Sequence, residues 1–326
     1  MITLKNSQAT STDKPRSLPH VPVLLKEVIS GLNIKPDGIY VDLTLGRAGH
    51  AKAILEHLPN GLLIGIDRDN EAIKEAKNIL SKSKNRYLIR YANFKDIGTI
   101  LDELNVRKID GAVMDLGVSS PQFDDPERGF SYRYDARLDM RMDQKQKLTA
   151  YDVVNTYSED ELNRIFKEYG EEKYARSIAR NIVKVREKNP IVTTFQLVEL
   201  IKNAKPNREL KKIGHPAKQV FQALRIEVND ELSALKDAID VITKRLKPSG
   251  RIAIITFHSG EDRIVKSYYK SLSTVVGSRN GPPIDPKNVE KPTFALVTKK
   301  PILPTDEEIE RNPRAKSAKL RIIERL

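Results

Sequence analysis

Short apolar runs alternate with amphipathic stretches in the first third of the chain. The apolar runs fall at residues 39–42, 62–67, 87–91 and 109–115, and the amphipathic stretches fall at residues 51–58, 70–80 and 96–104. Apolar positions at helical spacing predict helices for the amphipathic stretches, and the continuous apolar runs predict buried strands. Strands that alternate with helices are typical of right-handed βαβ units, whose strands are parallel. The pattern therefore predicts an α/β fold built on a parallel sheet.

The alternation stops after Asp115 and resumes near Glu231. Two helix starts are predicted in between, at Ser158 and Thr193, because each is followed three residues later by a Glu or Gln that completes a capping box. The resumed pattern predicts a helix at residues 231–246, a proline-containing loop at 277–291, and strands at 251–257, 294–298 and 319–323.

These elements complete a seven-stranded sheet and divide the chain. We predict that residues 18–125 and 214–326 form the α/β core and that residues 126–213 form an inserted helical domain. The polar composition of residues 1–17 predicts a disordered tail without the apolar segment of a secretory signal. No apolar stretch approaches the ~20 residues that a membrane span requires, so we expect a cytoplasmic protein with no membrane partner.

The charge and the missing cysteines narrow the chemistry. The 57 Lys and Arg residues exceed the 44 Asp and Glu residues, which gives a formal net charge of +13. This excess favours a phosphate-rich partner such as nucleic acid, although a lysine-rich proteome would explain it equally well. The chain has no cysteine, and its five histidines lack ligand spacing, so disulfides, thiol nucleophiles and a metal site are not expected.

A nucleotide loop is predicted at residues 42–50, where small residues follow the first strand and open the first helix. Asp67 ends the second strand 21 residues after Gly46, which is the placement of a carboxylate that accepts hydrogen bonds from ribose hydroxyls. The loop lacks the full G-x-G-x-x-G of dinucleotide-binding proteins, which disfavours NAD and FAD.

The fourth strand ends in residues 115–122, at the sheet edge where ligands of open α/β folds bind. An acidic residue and a proline-containing turn at this place are typical of amino methyltransferases, because an amine conjugated to its ring needs acceptors that draw on its hydrogens. An ordinary Ser-Pro turn is the alternative interpretation.

Ordered motifs then extend from about His20 to the C-terminus. They are HVPVLL at 20–25, DLTLGRAGH at 42–50, DRD at 67–69, DGAVMDLGVSSPQ at 110–122, ERGFS at 127–131, LDMRMD at 138–143, YGEE at 169–172, HPA at 215–217, FQALRI at 221–226, FHS at 257–259 and EDR at 261–263. In these motifs the chain closely resembles the bacterial 16S ribosomal RNA (cytosine-N4)-methyltransferases.

The resemblance implies a class I S-adenosylmethionine-dependent methyltransferase, with a Rossmann-like and mostly parallel seven-stranded sheet. It implies methylation of the N4 amine of a cytidine in the decoding region of 16S ribosomal RNA, within the small ribosomal subunit. By family motif, the cofactor contacts fall on Ala48, Gly49, His50, Asp67, Phe94, Asp115 and Gln122. The chain departs from the family at two positions, since Ala48 usually is glycine and Gly260 commonly is leucine.

Several polar residues are candidates for holding the cytidine, and the sequence does not assign their roles. They are Asp115, Ser119, Ser120, Asp139, Arg141, His258 and Ser259. Each of them would serve equally well as a structural hydrogen-bonding group.

Two basic groups are candidates for contacts with RNA phosphates. A helical stripe in the insertion contains Lys173, Arg176, Arg180 and Lys184, opposite an apolar face, and makes the insertion the predicted RNA-recognition domain. A solvated helix face is the alternative for the stripe. The second group lies near the C-terminus and contains Arg311, Arg314, Lys316, Lys319 and Arg321.

Other functions compete with this interpretation. A DNA or small-molecule methyltransferase shares the fold, and so does a non-catalytic RNA-binding or ribosome-assembly factor. A nicotinamide oxidoreductase is disfavoured by the incomplete dinucleotide motif. The sequence does not distinguish a monomer from a homodimer.

Overall fold

The computed structural model describes residues 22–274 and 291–326. The predicted tail at residues 1–17, the motif position His20 and residues 277–290 of the predicted loop lie outside the described residues. No helix within the described residues combines the length and the apolar character needed to cross a membrane.

Seven strands form one sheet in the order β3-β2-β1-β4-β5-β7-β6 across the described residues. Strands β1 to β5 are parallel to one another, and β7 is antiparallel to both β5 and β6. The prediction of a seven-stranded, mostly parallel sheet is confirmed. The strands are β1 Ile39–Asp42, β2 Leu62–Asp67, β3 Tyr87–Tyr91, β4 Ile109–Asp115, β5 Leu246–Thr256, β6 Phe294–Leu296 and β7 Lys319–Arg325.

Helices cover both faces of the sheet, because alternate strand residues point to opposite sides. Val41 belongs to the apolar core on one face and Tyr40 to the core on the other. The first face packs against α4 Ile97–Glu103, α12 Glu231–Arg245 and α13 Ser259–Ser273. The second face packs against α1 Leu25–Leu32, α2 Gly49–Glu56 and α3 Asn70–Leu80. Helix α2 begins at Gly49, two residues before the predicted start and directly after Ala48, whose backbone is left-handed.

The helices between β4 and α12, except the short one at residues 207–210, share a separate apolar core that runs from Phe130 to Val228. Capping boxes open α7 at Ser158 and α9 at Thr193, as predicted. The helices are α5 Ser120–Asp124, α6 Ala150–Thr156, α7 Glu159–Glu168, α8 Ala175–Arg186, α9 Thr194–Asn203, α10 Asn207–Leu210 and α11 Lys218–Asn229.

Helix α11 bears on where the helical insertion ends. Its side chains Val220, Phe221 and Leu224 are buried in the helical core rather than against the sheet. Helix α11 then ends at Asp230, whose left-handed backbone (φ 50°) separates it from α12. We therefore propose that the helical unit continues past residue 213 to Asn229.

Strand β5 begins before the predicted residue 251. Leu246 pairs with Ile109, and the pairing resumes between Gly111 and Arg251 after an irregularity. The remaining helix, α14 Asp306–Arg311, precedes β7.

Candidate active site

A cavity of about 350 Å³ lies at the carboxyl ends of β1, β2 and β4. Its wall includes residues 43–47, Asp67 and residues 115–119. Strand β1 lies between β2 and β4, so the strand order changes direction at this point, which is where open α/β sheets bind ligands. The volume lies in the range of small-molecule sites.

The loop after β1 is fixed to the neighbouring strand ends by hydrogen bonds. The Gly46 N–H donates to Asp67 Oδ2 at 2.7 Å, and the Asp69 N–H donates to Asp67 Oδ1 at 2.8 Å. On the other side, the Asp115 N–H donates to the Thr44 hydroxyl at 2.6 Å. The loop is therefore bonded to β2 and to β4 at once.

Two residues of this loop have left-handed backbone torsions. Gly46 has φ 48°, and Ala48 has φ 59° with ψ 28°. The position at which the family usually has glycine thus adopts the backbone region that glycine tolerates best. The Ala48 methyl is fully buried in the core and does not line the cavity. Gly49 does line it, and a Cβ there would lie 2.3 Å from Pro22 Cγ, so this position requires glycine.

A largely apolar slot with the carboxylates of Asp67 and Glu75 forms the β2 and β3 side of the cavity. Phe94, Ala72, Ile79 and Ala92 line it, and the Arg68 guanidinium lies 6.0 Å from the centre of the Phe94 ring. Burial raises the pKa of Asp67, while the backbone N–H groups of Asp69 and Gly46 lower it in part. A flat aromatic base fits the slot and ribose hydroxyls fit Asp67, so this side suits a nucleoside.

Asp115 lines the opposite side of the cavity. Its Oδ1 atom is buried and has no hydrogen-bond partner among the described residues, and its Oδ2 atom lies 3.7 Å from His50 Nδ1. Burial, together with the nearby carboxylates of Asp42 and Glu261, raises the pKa of Asp115 to about 8. Asp115 thus offers an oxygen without a hydrogen bond and has a pKa close to neutral pH.

A charged cluster lies behind Asp115 at the start of α13. His258 caps the helix, and its Nε2 atom lies 3.2 Å from Glu261 Oε1 without making a hydrogen bond. Burial would raise the pKa of Glu261, but the His258 imidazole and the Arg225 guanidinium outweigh it and lower that pKa. Arg225 also holds Glu231 through two contacts of 2.9 Å. Glu231 and Glu261 line the cavity, whereas His258 lies one layer behind.

A buried network that the sequence did not reveal links the two sides of the cavity. The Gln122 amide donates to Asp69 Oδ2 at 2.7 Å, and the Ser119 N–H donates to Gln122 Oε1 at 3.1 Å. Arg128 also reaches Asp69 Oδ2, at 3.2 Å, and donates to the carbonyl oxygens of Arg141 and Met142. Gln122 lines the cavity, but its polar atoms are already bonded to protein.

The predicted site residues fall into two sets. Seven of them line the cavity, namely Gly49, His50, Asp67, Phe94, Asp115, Ser119 and Gln122. The wall does not include Ala48, Asp139, Arg141, His258 or Ser259. The side chain of Ser120 lies outside what the structure describes.

Asp139 and Arg141 bond to each other instead of facing the cavity. Arg141 Nη2 lies 2.7 Å from Asp139 Oδ2, and the same guanidinium donates to the carbonyl oxygens of Gln144 and Gln146. Burial would raise the pKa of Asp139, but Arg141 outweighs it and lowers that pKa. The pair therefore fixes the turn that follows Met140.

Of the two predicted basic groups, the C-terminal one contains a buried member, Arg321. The stripe on α8 is exposed, with Arg176 and Arg180 about 70% and 69% exposed and within 4.0 Å of Glu159. In the C-terminal group, Arg321 is buried against Asp262, and three further cations have carboxylate partners: Lys319, Arg314 and Arg311. The idea of a free C-terminal phosphate patch is wrong for Arg321, because its charge is compensated inside the fold.

Comparison with known proteins adds the family. The chain is similar in structure to a provisionally assigned methyltransferase from Streptococcus mutans in complex with SAH, at 13% identity over 94% of this chain and 100% of that chain, with a TM-score of 0.44. It is also similar to an rRNA methylase from Streptococcus thermophilus, at 12% identity over 93% of this chain and 92% of that chain, with a TM-score of 0.40. The model of the MraW methylase family matches residues 17–326. The chain therefore belongs to the MraW methylase family and is an S-adenosylmethionine-dependent methyltransferase.

Proposed function

We propose that this enzyme methylates the N4 amine of a cytidine in the decoding region of 16S ribosomal RNA, within the small ribosomal subunit. The unbonded, buried Oδ1 atom of Asp115 carries the proposal, because an exocyclic amine is a donor that would satisfy it. The motif resemblance to the (cytosine-N4)-methyltransferases supports the choice of cytidine and of this RNA.

The cofactor side of the cavity fits S-adenosylmethionine. Asp67 would accept hydrogen bonds from the ribose, Phe94 would pack against the adenine, and Gly49 and His50 would border the methionine part. The bound cofactor supplies a methyl group already activated on a sulfonium, so no covalent enzyme intermediate is needed. The task of the protein is then to position the amine and to accept its proton.

Asp115 is suited to both tasks. Its Oδ1 atom would accept a hydrogen bond from the amine and orient the nitrogen toward the methyl group. A pKa of about 8 makes the ionised carboxylate a fitting base for the proton that the amine gives up on methylation. Glu261 would act through Asp115, because its negative charge helps to raise the pKa of that carboxyl.

The exposed stripe on α8 would hold RNA phosphates. Arg176 and Arg180 are exposed to solvent, and both lie within 4.0 Å of the Glu159 carboxylate. The target base would have to be unpaired or turned out of its helix to reach a cavity at the sheet edge. An enzyme with this substrate would work in the cytoplasm, where ribosomes are assembled.

Methyl transfer to defined substrates tests the proposal. Purified enzyme and labelled S-adenosylmethionine are incubated with small subunits from a strain that lacks the enzyme, with the RNA extracted from them, and with double-stranded DNA. We expect label in the ribosomal RNA, and nucleoside analysis should identify it as N4-methylcytidine within the decoding region. Label in DNA alone, or on a carbon or ribose oxygen of the RNA, would overturn the proposal.

Binding without transfer would identify a non-catalytic factor. If the protein binds small subunits and S-adenosylmethionine but no methyl group reaches any of these substrates, the catalytic proposal is wrong.

A further inference from the structure

The segment at residues 205–214 contains the short helix α10 and is here called the basic loop; it has a fixed stem and a free tip. At the stem, Lys205 Nζ donates to Glu172 and to the Pro216 carbonyl oxygen, each at 2.6 Å, and the Lys205 and Glu172 side chains are buried. The His215 ring stacks on Tyr132, with 4.2 Å between ring centres and 7° between planes. These contacts fix where the loop leaves the helical unit.

The tip of the basic loop presents an apolar side chain to solvent. Ile213 is fully exposed, at 108% of the reference value, which is the highest exposure of any large apolar residue in the described part of the chain. Gly214 follows with φ 105°, and a Cβ there would meet nothing within 4 Å. The Ile213 side chain buries no apolar surface within the fold, so we expect it to bury that surface against a partner.

Cations surround this apolar tip. Arg208, Lys211 and Lys212 lie in the basic loop and are exposed, while its one acidic residue, Glu209, bonds to Lys212 at 2.7 Å. Beyond the loop, Arg133 and Lys202 lie close enough to His215 to help burial lower its pKa. The surface therefore combines a positive field with a protruding apolar group.

The basic loop joins the α8 stripe to the active site. Lys173, the first cation of the stripe, lies near enough to Glu209 to help Lys212 lower its pKa. Lys173 directly follows Glu171 and Glu172, and Glu171 accepts hydrogen bonds from Ser259 at 2.8 Å and from Arg263 at 2.7 Å. One short turn thus connects the stem of the basic loop with the start of α13, next to the cavity.

We propose that the basic loop binds the RNA strand beside the target nucleotide, with Arg208, Lys211 and Lys212 on phosphates and Ile213 against an exposed base. This inference rests on RNA being the substrate. Phosphates account for the cations, and the flat apolar face of an unpaired base accounts for the exposed Ile213. Lys205 of the loop contacts Glu172, and the preceding Glu171 bonds to Ser259 and Arg263, so this strand would lie next to the start of α13 and the cavity.

A charge-matched pair of triple variants tests the phosphate contacts. The loop variant is Arg208→Gln, Lys211→Gln, Lys212→Gln, and the control is Lys82→Gln, Lys84→Gln, Arg86→Gln, whose exposed cations lie at the amino end of β3. Binding to extracted 16S RNA is measured across a salt titration, together with the KM and kcat for unmethylated small subunits. We expect the loop variant to bind RNA roughly tenfold or more weakly, with a salt slope lower by about 2, and the control to match wild type.

Two variants of the tip test the base contact. Ile213→Ser should weaken RNA binding while leaving the salt slope unchanged, because an apolar contact is lost and no charge changes. Ile213→Leu should bind RNA as tightly as wild type, because the apolar contact is kept. Calorimetry with S-adenosylmethionine should give the wild-type affinity for every variant, which shows that the cofactor side is intact.

Three results would overturn the inference. The loop variant and the control could show equal RNA affinity and equal KM, or Ile213→Ser could behave as wild type. Alternatively, the loop variant could bind extracted RNA normally and lose only its binding to assembled subunits, which would identify a ribosomal protein as the partner. Failure of the wild-type enzyme to methylate ribosomal RNA would instead reject the proposed function, and the comparison of RNA affinities would still decide the role of the loop.

Discussion

The two sides of the cavity differ in how completely their polar groups are bonded. On the side that would hold the methyl donor, here called the donor side, both oxygens of Asp67 accept hydrogen bonds from backbone N–H groups. Asp42 accepts a hydrogen bond from the Thr44 N–H at 3.1 Å. On the side that would hold the methyl acceptor, here called the acceptor side, Asp115 Oδ1 is buried without a hydrogen-bond partner among the described residues. The protein thus fixes the position of the carboxylate on the donor side before any ligand binds, whereas Asp115 on the acceptor side still has an oxygen without a hydrogen bond.

This difference has an energetic meaning. A buried polar atom without a partner costs about 1–3 kcal/mol, so a fold keeps one where a ligand will supply the missing bond. A preorganised donor side holds the cofactor in one position at little further cost. The acceptor side gains most of its bonding from the substrate, which makes it the place where specificity arises.

The largest effect is expected from a substitution of Asp115. We expect Asp115→Asn to lower kcat for methyl transfer by about 10²- to 10⁴-fold, because the amide keeps the shape of the side chain but cannot take a proton. The affinity for S-adenosylmethionine, measured by calorimetry, should change little. Asp102→Asn, an exposed carboxylate on α4, is the matched control and should retain full activity. Near-normal methyl transfer by Asp115→Asn would show that the methyl acceptor does not bind beside Asp115.

The next effect concerns Asp42, which is buried beneath the loop and whose pKa is raised by burial to about 7. A raised pKa in the folded state means that its stabilising effect is present below the unfolded value, about 4, and is lost as pH rises through 7. We expect the free energy of unfolding to fall by roughly 2 to 3 kcal/mol between pH 5 and 8 on account of this group.

Asp42→Asn should flatten that pH dependence, since an amide does not ionise and its oxygen still accepts the Thr44 N–H. Urea unfolding of both proteins from pH 5 to 8 measures the difference. Part of the slope should survive in the variant, because the pKa of Asp115, about 8, is also raised. Parallel curves for variant and wild type would mean that Asp42 is ionised throughout.

Asp67 tests the donor side. Asp67→Ala should weaken S-adenosylmethionine binding by about 1 to 3 kcal/mol, because ribose hydrogen bonds are lost and the Gly46 N–H is released. Asp67→Asn should lose less, since one oxygen remains as an acceptor. Calorimetry of both folded variants gives the comparison, and an unchanged affinity in Asp67→Ala would place the ribose elsewhere.

The smallest effect is expected at Ala48. Glycine would relieve the left-handed torsion, worth about 1–2 kcal/mol, but it would lose a buried methyl, worth about 0.8 kcal/mol, and restrict a more flexible backbone. These terms nearly cancel, so Ala48→Gly should change stability by less than about 1 kcal/mol. Ala48→Val should be clearly destabilising, because branching at Cβ aggravates the strain. Urea unfolding decides, and strong stabilisation by glycine would show that the loop is held under strain.

Much of the α/β core was predictable because its signals are local. The four predicted strands from residue 39 to residue 115 match the observed ones, and α3 matches residues 70–80. Each of these elements is defined by apolar periodicity over a few residues. The bounds of β5 were missed, because Leu246 joins the sheet through a pairing with Ile109 that no local pattern encodes.

The donor side was also visible in the sequence, since the loop and Asp67 are separated by a single βαβ spacing. The network of Gln122, Asp69 and Arg128 was not, because its members come from three segments that meet only in the folded chain. The same holds for Arg321, whose basic character predicted a surface contact while Asp262 holds it in the interior.

The sequence by itself determined the order of strands and helices, the nucleotide loop and the family motifs, because these depend on neighbours along the chain. Only the tertiary structure decided which charges are buried, which are paired and which are left unbonded. Asp115 shows the reason, because its raised pKa and its free oxygen arise from burial beside Asp42 and Glu261, which lie far from it in sequence. Spacing along the chain specifies residue types, but electrostatic environment depends on three-dimensional neighbours.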